Sequence, residues 1–185
     1  KSTMQITDIN GTFKLANGIE IPYLGLGTWQ SKDGKEVTDS VRWAIEAGYR
    51  HIDTASIYQN EKGVGQGILE GGVDRKKIFV TSKVWNGDQG YESTLRACEE
   101  SLKRLGIDQL DLYLIHWPVK GKYTDTWKAM EKIYHDGLAR AIGTSNFLQH
   151  HLEDILAEAE VKPMVNQMEC HPRLVQQDLI DFCVS

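Results

Sequence analysis

Short apolar runs alternate with longer segments of helical periodicity along most of the chain, with a repeat of ~30 residues. This spacing is typical of parallel strands joined by right-handed helical crossovers. The predicted strands cover residues 23–29, 49–54, 77–85, 109–117, 139–146 and 162–169, and the predicted helices cover 36–47, 60–70, 90–105, 123–136, 148–160 and 174–184. No linker interrupts these six units, so we expect one α/β domain over residues 1–185.

A small antiparallel hairpin is predicted before the first of these units. The segment TFKLANGIEIP alternates apolar and polar residues around Asn17-Gly18. The Asn-Gly dipeptide favours a two-residue turn, because both central positions of that turn need positive φ. The sequence therefore predicts an N-terminal β-hairpin.

Parallel units of this kind form either an open doubly wound sheet or a closed eight-stranded barrel. An open sheet that binds a dinucleotide carries G-x-G-x-x-G directly after its first strand. Residues 25–30 read GLGTWQ, with Gln30 where the third glycine belongs, and no strand leads directly into Gly63, Gly65 and Gly67. Both matches to the dinucleotide pattern are therefore poor.

Every predicted strand ends on side chains that can take part in catalysis or ligand binding. In chain order these are Thr28 and Trp29, Asp53, Lys83, His116 and Trp117, Ser145 and Asn146, and Gln167. The C-terminal strand ends of a barrel meet at one mouth, so residues that are distant in sequence become neighbours there. Each residue alone has a structural explanation, such as a helix cap for Asp53 or a core aromatic for Tyr58. Their joint occurrence favours a parallel (β/α)8 barrel, of which about six units are present.

Four of the candidate residues could form a proton-delivery site. A phenol with a pKa near ~10 is a poor acid at neutral pH, but a cation beside its oxygen favours phenolate and lowers that pKa. Lys83 could supply this charge to Tyr58, and Asp53 could pair with Lys83 and keep it protonated. His116 offers a ring N–H that orients a carbonyl oxygen. Such a set protonates a developing alkoxide while another group delivers hydride to the carbon.

The hydride source would be a nicotinamide, since no side chain donates hydride. Ser145, Asn146 and Gln167 offer the donors and acceptors that its carboxamide needs. The apolar surface of three tryptophans would wall the mouth and exclude water from the substrate. These tryptophans are Trp29, Trp85 and Trp117.

The composition limits the kinds of molecule that this chain is expected to bind. The formal net charge is −5 and no basic run is present, which argues against nucleic acid and an anionic membrane surface. Cys98, Cys170 and Cys183 are widely spaced and contain no C-x-x-C pair, so we expect a reducing cytoplasm, no disulfide framework and no metal. Adjacent residues on a strand point to opposite faces, which argues against a shared metal at Glu169, Cys170 and His171. No leader or membrane span is expected.

The quoted strand ends and the segments around them resemble the aldo-keto reductases. The matching segments are GYRHIDTASIYQNEKGVG, FVTSKVW, LDLYLIHWP, AIGTSNF and MVNQMECHP, and the resemblance runs from the hairpin onward. Within that family, KPMVNQMECHPRL and WNGDQGYESTL are most similar to bacterial reductases of glyoxal, methylglyoxal and 2,5-diketogluconate.

The resemblance implies NADPH-dependent reduction of aldehydes or ketones, with small dicarbonyls or sugar ketones as substrates. It implies that Tyr58 is the general acid and that Lys83 lowers the pKa of Tyr58. It also implies that Asp53 pairs with Lys83 and that His116 orients the substrate. It places Ser145, Asn146 and Gln167 on the carboxamide, with Asp53 and Thr28 near the nicotinamide ribose. We expect a monomer for the complete protein.

A complete barrel usually takes ~250 residues, so we expect this chain to be most of a reductase rather than a self-sufficient one. The resemblance implies that later strands supply the aromatic stacked on the nicotinamide and the basic loop at the adenosine 2′-phosphate. Two other functions stay open. One is an aldolase that uses Lys83 as a Schiff base, and the other is a non-catalytic regulatory protein that senses the cofactor.

Overall fold

The computed structural model describes residues 11–168 and 181–183. It begins with the predicted hairpin, formed by β1 (Thr12–Lys14) and β2 (Glu20–Pro22). The predicted two-residue turn is wrong, because Asn17 does not share the positive φ of Gly18, which is 84°. The Leu15 N–H donates to the Ile19 carbonyl at 2.8 Å, which leaves a three-residue loop. A single glycine with positive φ suffices to close a loop of this length.

Within residues 11–168, six parallel strands follow, and each is paired with the next one in chain order. They are β3 (Gly25–Gly27), β4 (His51–Asp53), β5 (Phe79–Val84), β6 (Leu110–Ile115), β7 (Ala139–Ser145) and β8 (Asn166–Met168). The crossovers contain α1 (Lys35–Glu46), α2 (Glu61–Glu70), α3 (Tyr91–Leu105), α4 (Tyr123–His135) and α5 (Gln149–Glu158). These elements confirm the six predicted strands and the first five predicted helices, with shifted bounds.

The parallel sheet curls, as a barrel requires. The side-chain amide of Gln167 on β8 donates to the carboxylate of Asp53 on β4 at 2.8 Å. These strands are the second and the sixth of the parallel set, and three strands separate them in the sheet. A flat sheet would hold them more than 15 Å apart, at about 4.8 Å per strand. The hydrogen bond therefore crosses the space that the curled sheet encloses.

The chain beyond β8 differs from the prediction. Residues 181–183 form β9 (Asp181–Cys183), which pairs antiparallel with β8, whereas the sequence predicted a helix over 174–184. The rest of that predicted helix lies outside the described residues, as do Glu169, Cys170 and His171. A strand at this place satisfies the backbone groups that the edge of β8 would otherwise leave unpaired.

Both faces of the central strands are covered. Every residue of β5 and β6 is buried, which is typical of parallel strands that have helices on one side and a filled barrel on the other. The helices bury one stripe each; in α3 this stripe includes Cys98, Leu102 and Leu105 at helical spacing. That helix ends at Gly106, whose φ of 68° gives a left-handed C-cap.

The hairpin closes the N-terminal end of the barrel. Leu15 and Ile21 are buried in the core, and the Asn17 side chain donates to the carbonyl of Arg140 at the start of β7. The C-terminal ends of the strands face away from this plug. The functional side chains predicted at those ends therefore lie at the open mouth.

The contact between α2 and α3 provides a test of the packing. A Cβ built on Gly65 of α2 would lie 2.1 Å from the backbone carbonyl oxygen of Leu105, so the helices must separate to admit any side chain. We expect Gly65→Ala to lower the free energy of unfolding by about 1–3 kcal/mol, despite the better helix propensity of Ala. Gly87→Ala is the matched control, because its Cβ would meet only Trp85 at 3.9 Å. Urea unfolding of both variants measures the difference, and equal stabilities would contradict the close packing.

Candidate active site

An ion pair between Asp53 and Lys83 lies at the centre of the mouth. The Lys83 ammonium contacts the Asp53 carboxylate and also donates to the carbonyl of Thr54 at 3.1 Å. Only 1% of Lys83 and 6% of Asp53 are exposed. Burial raises the pKa of Asp53, but the positive charge of Lys83, helped by His51 and by hydrogen bonds from Lys83 and Gln167, outweighs burial, so the pKa of Asp53 is lowered. The structure thus brings together the pair predicted from the sequence.

Tyr58 lies over the ammonium of this pair. It ends a short 3-10 helix, Ser56–Tyr58, that follows β4, and the Lys83 Nζ is 5.4 Å from the centroid of its ring. The Ser56 hydroxyl donates to the Lys83 carbonyl at 3.2 Å, which fixes this helix to β5. Gln59 then takes a left-handed φ of 56° and ends the helix, so the chain turns away into α2. Tyr58 itself is half-buried and faces the mouth.

His116 completes the predicted catalytic set. It follows β6 with 2% of its surface exposed, and its ring packs edge-to-face against Tyr58 at a centroid distance of 6.0 Å. Trp85 contacts the same imidazole edge-to-face at 5.3 Å, and Trp117 stacks on it at 6.3 Å. Both tryptophans are half-buried. The imidazole therefore lies between the phenol and the apolar wall that the sequence predicts for a substrate.

Polar side chains from β7 and β8 lie on the other side of the mouth. Ser145 and Gln167 are paired in the parallel register, and both are buried. The Asn146 amide donates to the Ser145 hydroxyl at 3.0 Å and to the His116 carbonyl at 3.1 Å, and its backbone φ is 60°. Asn tolerates this left-handed conformation better than most residues. The three predicted carboxamide contacts are thus adjacent to one another and to Asp53.

Thr28 and Trp29 follow β3 at the edge of the described sheet. The Thr28 hydroxyl donates to the Thr54 hydroxyl at 2.8 Å, and the Thr28 N–H donates to the Asp53 carbonyl at 3.0 Å. These bonds hold the segment against the residues that carry the ion pair. Trp29 is 54% exposed, which leaves much of its ring surface open to a ligand. Their roles toward ribose and substrate stay predictions.

Sequence reasoning missed two buried polar residues that support this site. Asn60 donates to the carbonyls of Thr28 and Ser31 at 2.8 and 2.9 Å, and so fixes the segment after β3. Glu61, with 1% of its surface exposed, accepts hydrogen bonds from α3 and β5. From the sequence alone, a polar Asn-Glu pair at the start of a helix is expected to be exposed to solvent. The only sequence signal for a role in the site is that this pair follows directly after the Tyr58 segment.

Two other kinds of site have no support among the described residues. No group of three or more His, Cys, Asp or Glu side chains could hold a metal ion in that part of the chain. No helix among those described is long and apolar enough to cross a membrane.

The curled parallel sheet, with an acid–lysine–tyrosine–histidine set at the C-terminal ends of its strands, defines a (β/α)-barrel protein with a cluster of polar side chains at its mouth. A sequence model of the Aldo/keto reductase family matches residues 23–185. The chain belongs to this family, as the sequence resemblance indicates.

Relatives and solved structures agree with this assignment. Glyoxal reductase of Bacillus subtilis is 62% identical over 96% of this chain and 64% of its own length. The crystal structure of an aldo/keto reductase from Brucella melitensis superimposes with a TM-score of 0.83 at 50% identity, over 90% of this chain and 65% of that one. A Bombyx mori aldo-keto reductase in complex with NADP gives 0.81 at 39% identity, over 94% and 62%. The match confirms the predicted barrel fold, and the chain spans less than two thirds of each of these proteins.

Proposed function

We propose that the complete polypeptide that carries this chain reduces aldehydes or ketones to alcohols, with NADPH as the hydride source and Tyr58 as the proton donor. The observation that carries this proposal is the position of the Lys83 ammonium, which contacts Asp53 and lies 5.4 Å from the Tyr58 ring centroid. A cation at this place stabilises the phenolate that remains after proton transfer. The imidazole of His116 beside the phenol then orients the carbonyl oxygen.

The side chains at the mouth fit a nicotinamide carboxamide. The Ser145 hydroxyl accepts from Asn146, so its own O–H can donate to a ligand oxygen. Gln167 uses its amide nitrogen for Asp53, so its amide oxygen is the acceptor for a ligand N–H. One donor and one acceptor side by side match the two ends of a carboxamide. When bound, a reduced nicotinamide supplies the hydride that no side chain can supply. The Bombyx mori aldo-keto reductase solved with NADP and another aldo-keto reductase solved with NADPH support the choice of cofactor.

The protein residues would then account for the proton. The carbonyl oxygen would lie beside Tyr58 and His116, and the Tyr58 O–H would give its proton to the alkoxide that develops there. The carbonyl substrate would leave as the alcohol, and solvent would return a proton to the Tyr58 phenolate. Trp85 and Trp117, which flank His116, supply the apolar wall against the substrate. Small dicarbonyls are the substrate class that the glyoxal reductase relative supports, with sugar ketones as the alternative.

The aldolase alternative fits the ion pair less well. A Schiff base forms from a neutral amine, whereas Lys83 contacts a buried carboxylate and donates to the Thr54 carbonyl. The regulatory alternative leaves the Tyr58 and His116 arrangement without a use. Neither alternative gains support from a contact among the described residues.

The test is an NADPH oxidation assay of the complete polypeptide with glyoxal, methylglyoxal and a sugar ketone. We expect turnover of at least one dicarbonyl, because the mouth contains a proton donor and a carbonyl-orienting group. Borohydride treatment in the presence of each carbonyl provides the control. A covalent adduct on Lys83 would favour the aldolase, and tight NADPH binding without any turnover would favour the regulatory protein.

A further inference from the structure

A second buried carboxylate lies outside the barrel wall, directly behind the candidate active site. Glu61 is the first residue of α2 and has 1% of its surface exposed. Its carboxylate accepts from the Ser82 hydroxyl at 2.8 Å and the Ser101 hydroxyl at 3.1 Å, and from two nitrogens of Arg104 at 2.8 and 3.0 Å. Four hydrogen bonds and one cation therefore compensate the burial of this charge.

The partners of Glu61 belong to elements that carry the site. Glu61 lies three residues after Tyr58, and Ser82 directly precedes Lys83. Because successive strand residues point to opposite faces, Ser82 faces the helices while Lys83 faces the barrel interior. The bond between Glu61 and Ser82 thus connects, from behind, the segment that carries the phenol with the strand that carries the ammonium. Arg104 and Ser101 fasten both to α3.

The Tyr58 helix also contacts β5 directly. Its 3-10 turn is one turn long, and the Ser56 hydroxyl is bonded to the Lys83 carbonyl at the long distance of 3.2 Å. Proton transfer depends on the phenol and its neighbours being held to within a fraction of an ångström, and a misplacement of about 1 Å can cost 10²-fold in rate. A connection through a buried carboxylate is stiff, because moving it would break several charge-assisted bonds together.

We propose that Glu61 is a positioning residue for the reaction: through Ser82 it holds the Tyr58 segment in register with the Lys83 strand. It touches neither substrate nor cofactor and acts through the two elements that it joins. This inference rests on the proposed function only for its kinetic readout, since the register itself can be measured without turnover.

The sharpest test compares two serines bonded to the same carboxylate. Ser82→Ala removes the bond to the strand of Lys83, and Ser101→Ala removes the bond to α3, so each loses one hydroxyl bond to Glu61. We expect Ser82→Ala to lower kcat by about 3- to 10-fold with little change in KM, and Ser101→Ala to stay within about two-fold of wild type. Equal kcat values for the two variants would overturn the proposal.

We expect the larger effect from Glu61→Ala, with kcat lowered by about 10- to 100-fold. The Glu61→Gln variant should keep most of the wild-type kcat, because the amide can keep bonds to Arg104 and Ser82.

Asp111→Ala is the matched control for Glu61→Ala. Asp111 is also buried and bonded to two arginines, Arg75 and Arg140, but it lies near the start of β6, at the other end of the barrel. The Asp111→Ala variant should lose about as much thermal stability as Glu61→Ala, while its kcat stays within about two-fold of wild type. A loss of kcat in Asp111→Ala as large as in Glu61→Ala would assign both effects to stability.

A titration without substrate separates this proposal from the proposed function. Tyrosinate absorbance is followed against pH for wild type, Ser82→Ala and Ser101→Ala, each with its Tyr58→Phe partner subtracted. We expect the Tyr58 titration midpoint to rise in Ser82→Ala alone, because the phenol moves away from Lys83. A protein that reduces no carbonyl but shows this shift would refute the proposed function and keep the positioning role. Identical midpoints in both serine variants would refute the positioning role even in an active reductase.

Discussion

In the complete polypeptide we expect Tyr58→Phe to lower kcat for the proposed carbonyl reduction by about 10²–10⁴-fold, because the developing alkoxide would have no proton donor. We expect KM for the carbonyl to change little, since His116, Trp85 and Trp117 still line the mouth. The affinity for NADPH should also change little, since Ser145, Asn146 and Gln167 are retained. The phenol adds no packing that Phe lacks, so the fold is kept. Steady-state NADPH oxidation with glyoxal, together with NADPH titration by fluorescence, measures the two effects separately.

Tyr113→Phe is the matched control for this experiment. Tyr113 lies on β6 with none of its surface exposed, and its hydroxyl has no hydrogen-bond partner within the described part of the chain. Burial raises the pKa of this phenol well above its ordinary value, so it stays protonated. Removing its hydroxyl should leave kcat within about two-fold of wild type and cost no stability, because an unsatisfied buried group is lost. A Tyr58→Phe variant as active as this control would exclude Tyr58 as the acid.

The residues at the ends of strands could be predicted because their positions follow from topology. Once the apolar runs are assigned to parallel strands, Lys83 and His116 must lie at the same end of the sheet, whatever the loops do. The sequence did not predict the hydrogen bond between Asp53 and Gln167, which forms because the sheet curls and brings β4 and β8 together. Alternation along each strand then decides which side chains face the interior.

The supporting residues could not be predicted in this way. The carboxylate of Glu61 meets Ser82 and Arg104 only because α2 and α3 pack closely, at a contact where Gly65 admits no side chain. Such a contact depends on helix positions within about 1 Å, which periodicity does not give. The prediction of a two-residue hairpin turn was wrong for a local reason. Asn-Gly fits both a two-residue and a three-residue loop, and the register of the flanking strands, not the dipeptide, selects between them.

Lys83→Met combines the largest expected losses of activity and stability. The variant removes the cation beside Tyr58 and leaves the Asp53 carboxylate buried with the Gln167 amide, so the free energy of unfolding falls by about 3–5 kcal/mol. Without Lys83, burial raises the pKa of Asp53 above its unfolded value of 3.8. A folded pKa above the unfolded one means that the variant regains stability as the pH falls and Asp53 takes up a proton. Urea unfolding at pH 8 and pH 5 should therefore show a smaller difference from wild type at the lower pH.

The double variant Asp53→Asn/Lys83→Met separates the two roles of the ion pair. Replacing both charges removes the uncompensated carboxylate, so most of the lost stability returns. Activity does not return, because the phenolate left by proton transfer from Tyr58 still has no cation beside it, and kcat stays lowered by about 10²-fold or more. Far-UV circular dichroism, urea unfolding and the NADPH assay on the wild type, single and double variants complete the comparison. A double variant that recovers both stability and turnover would show that Lys83 serves the fold alone, and the proton-delivery arrangement would have to be abandoned.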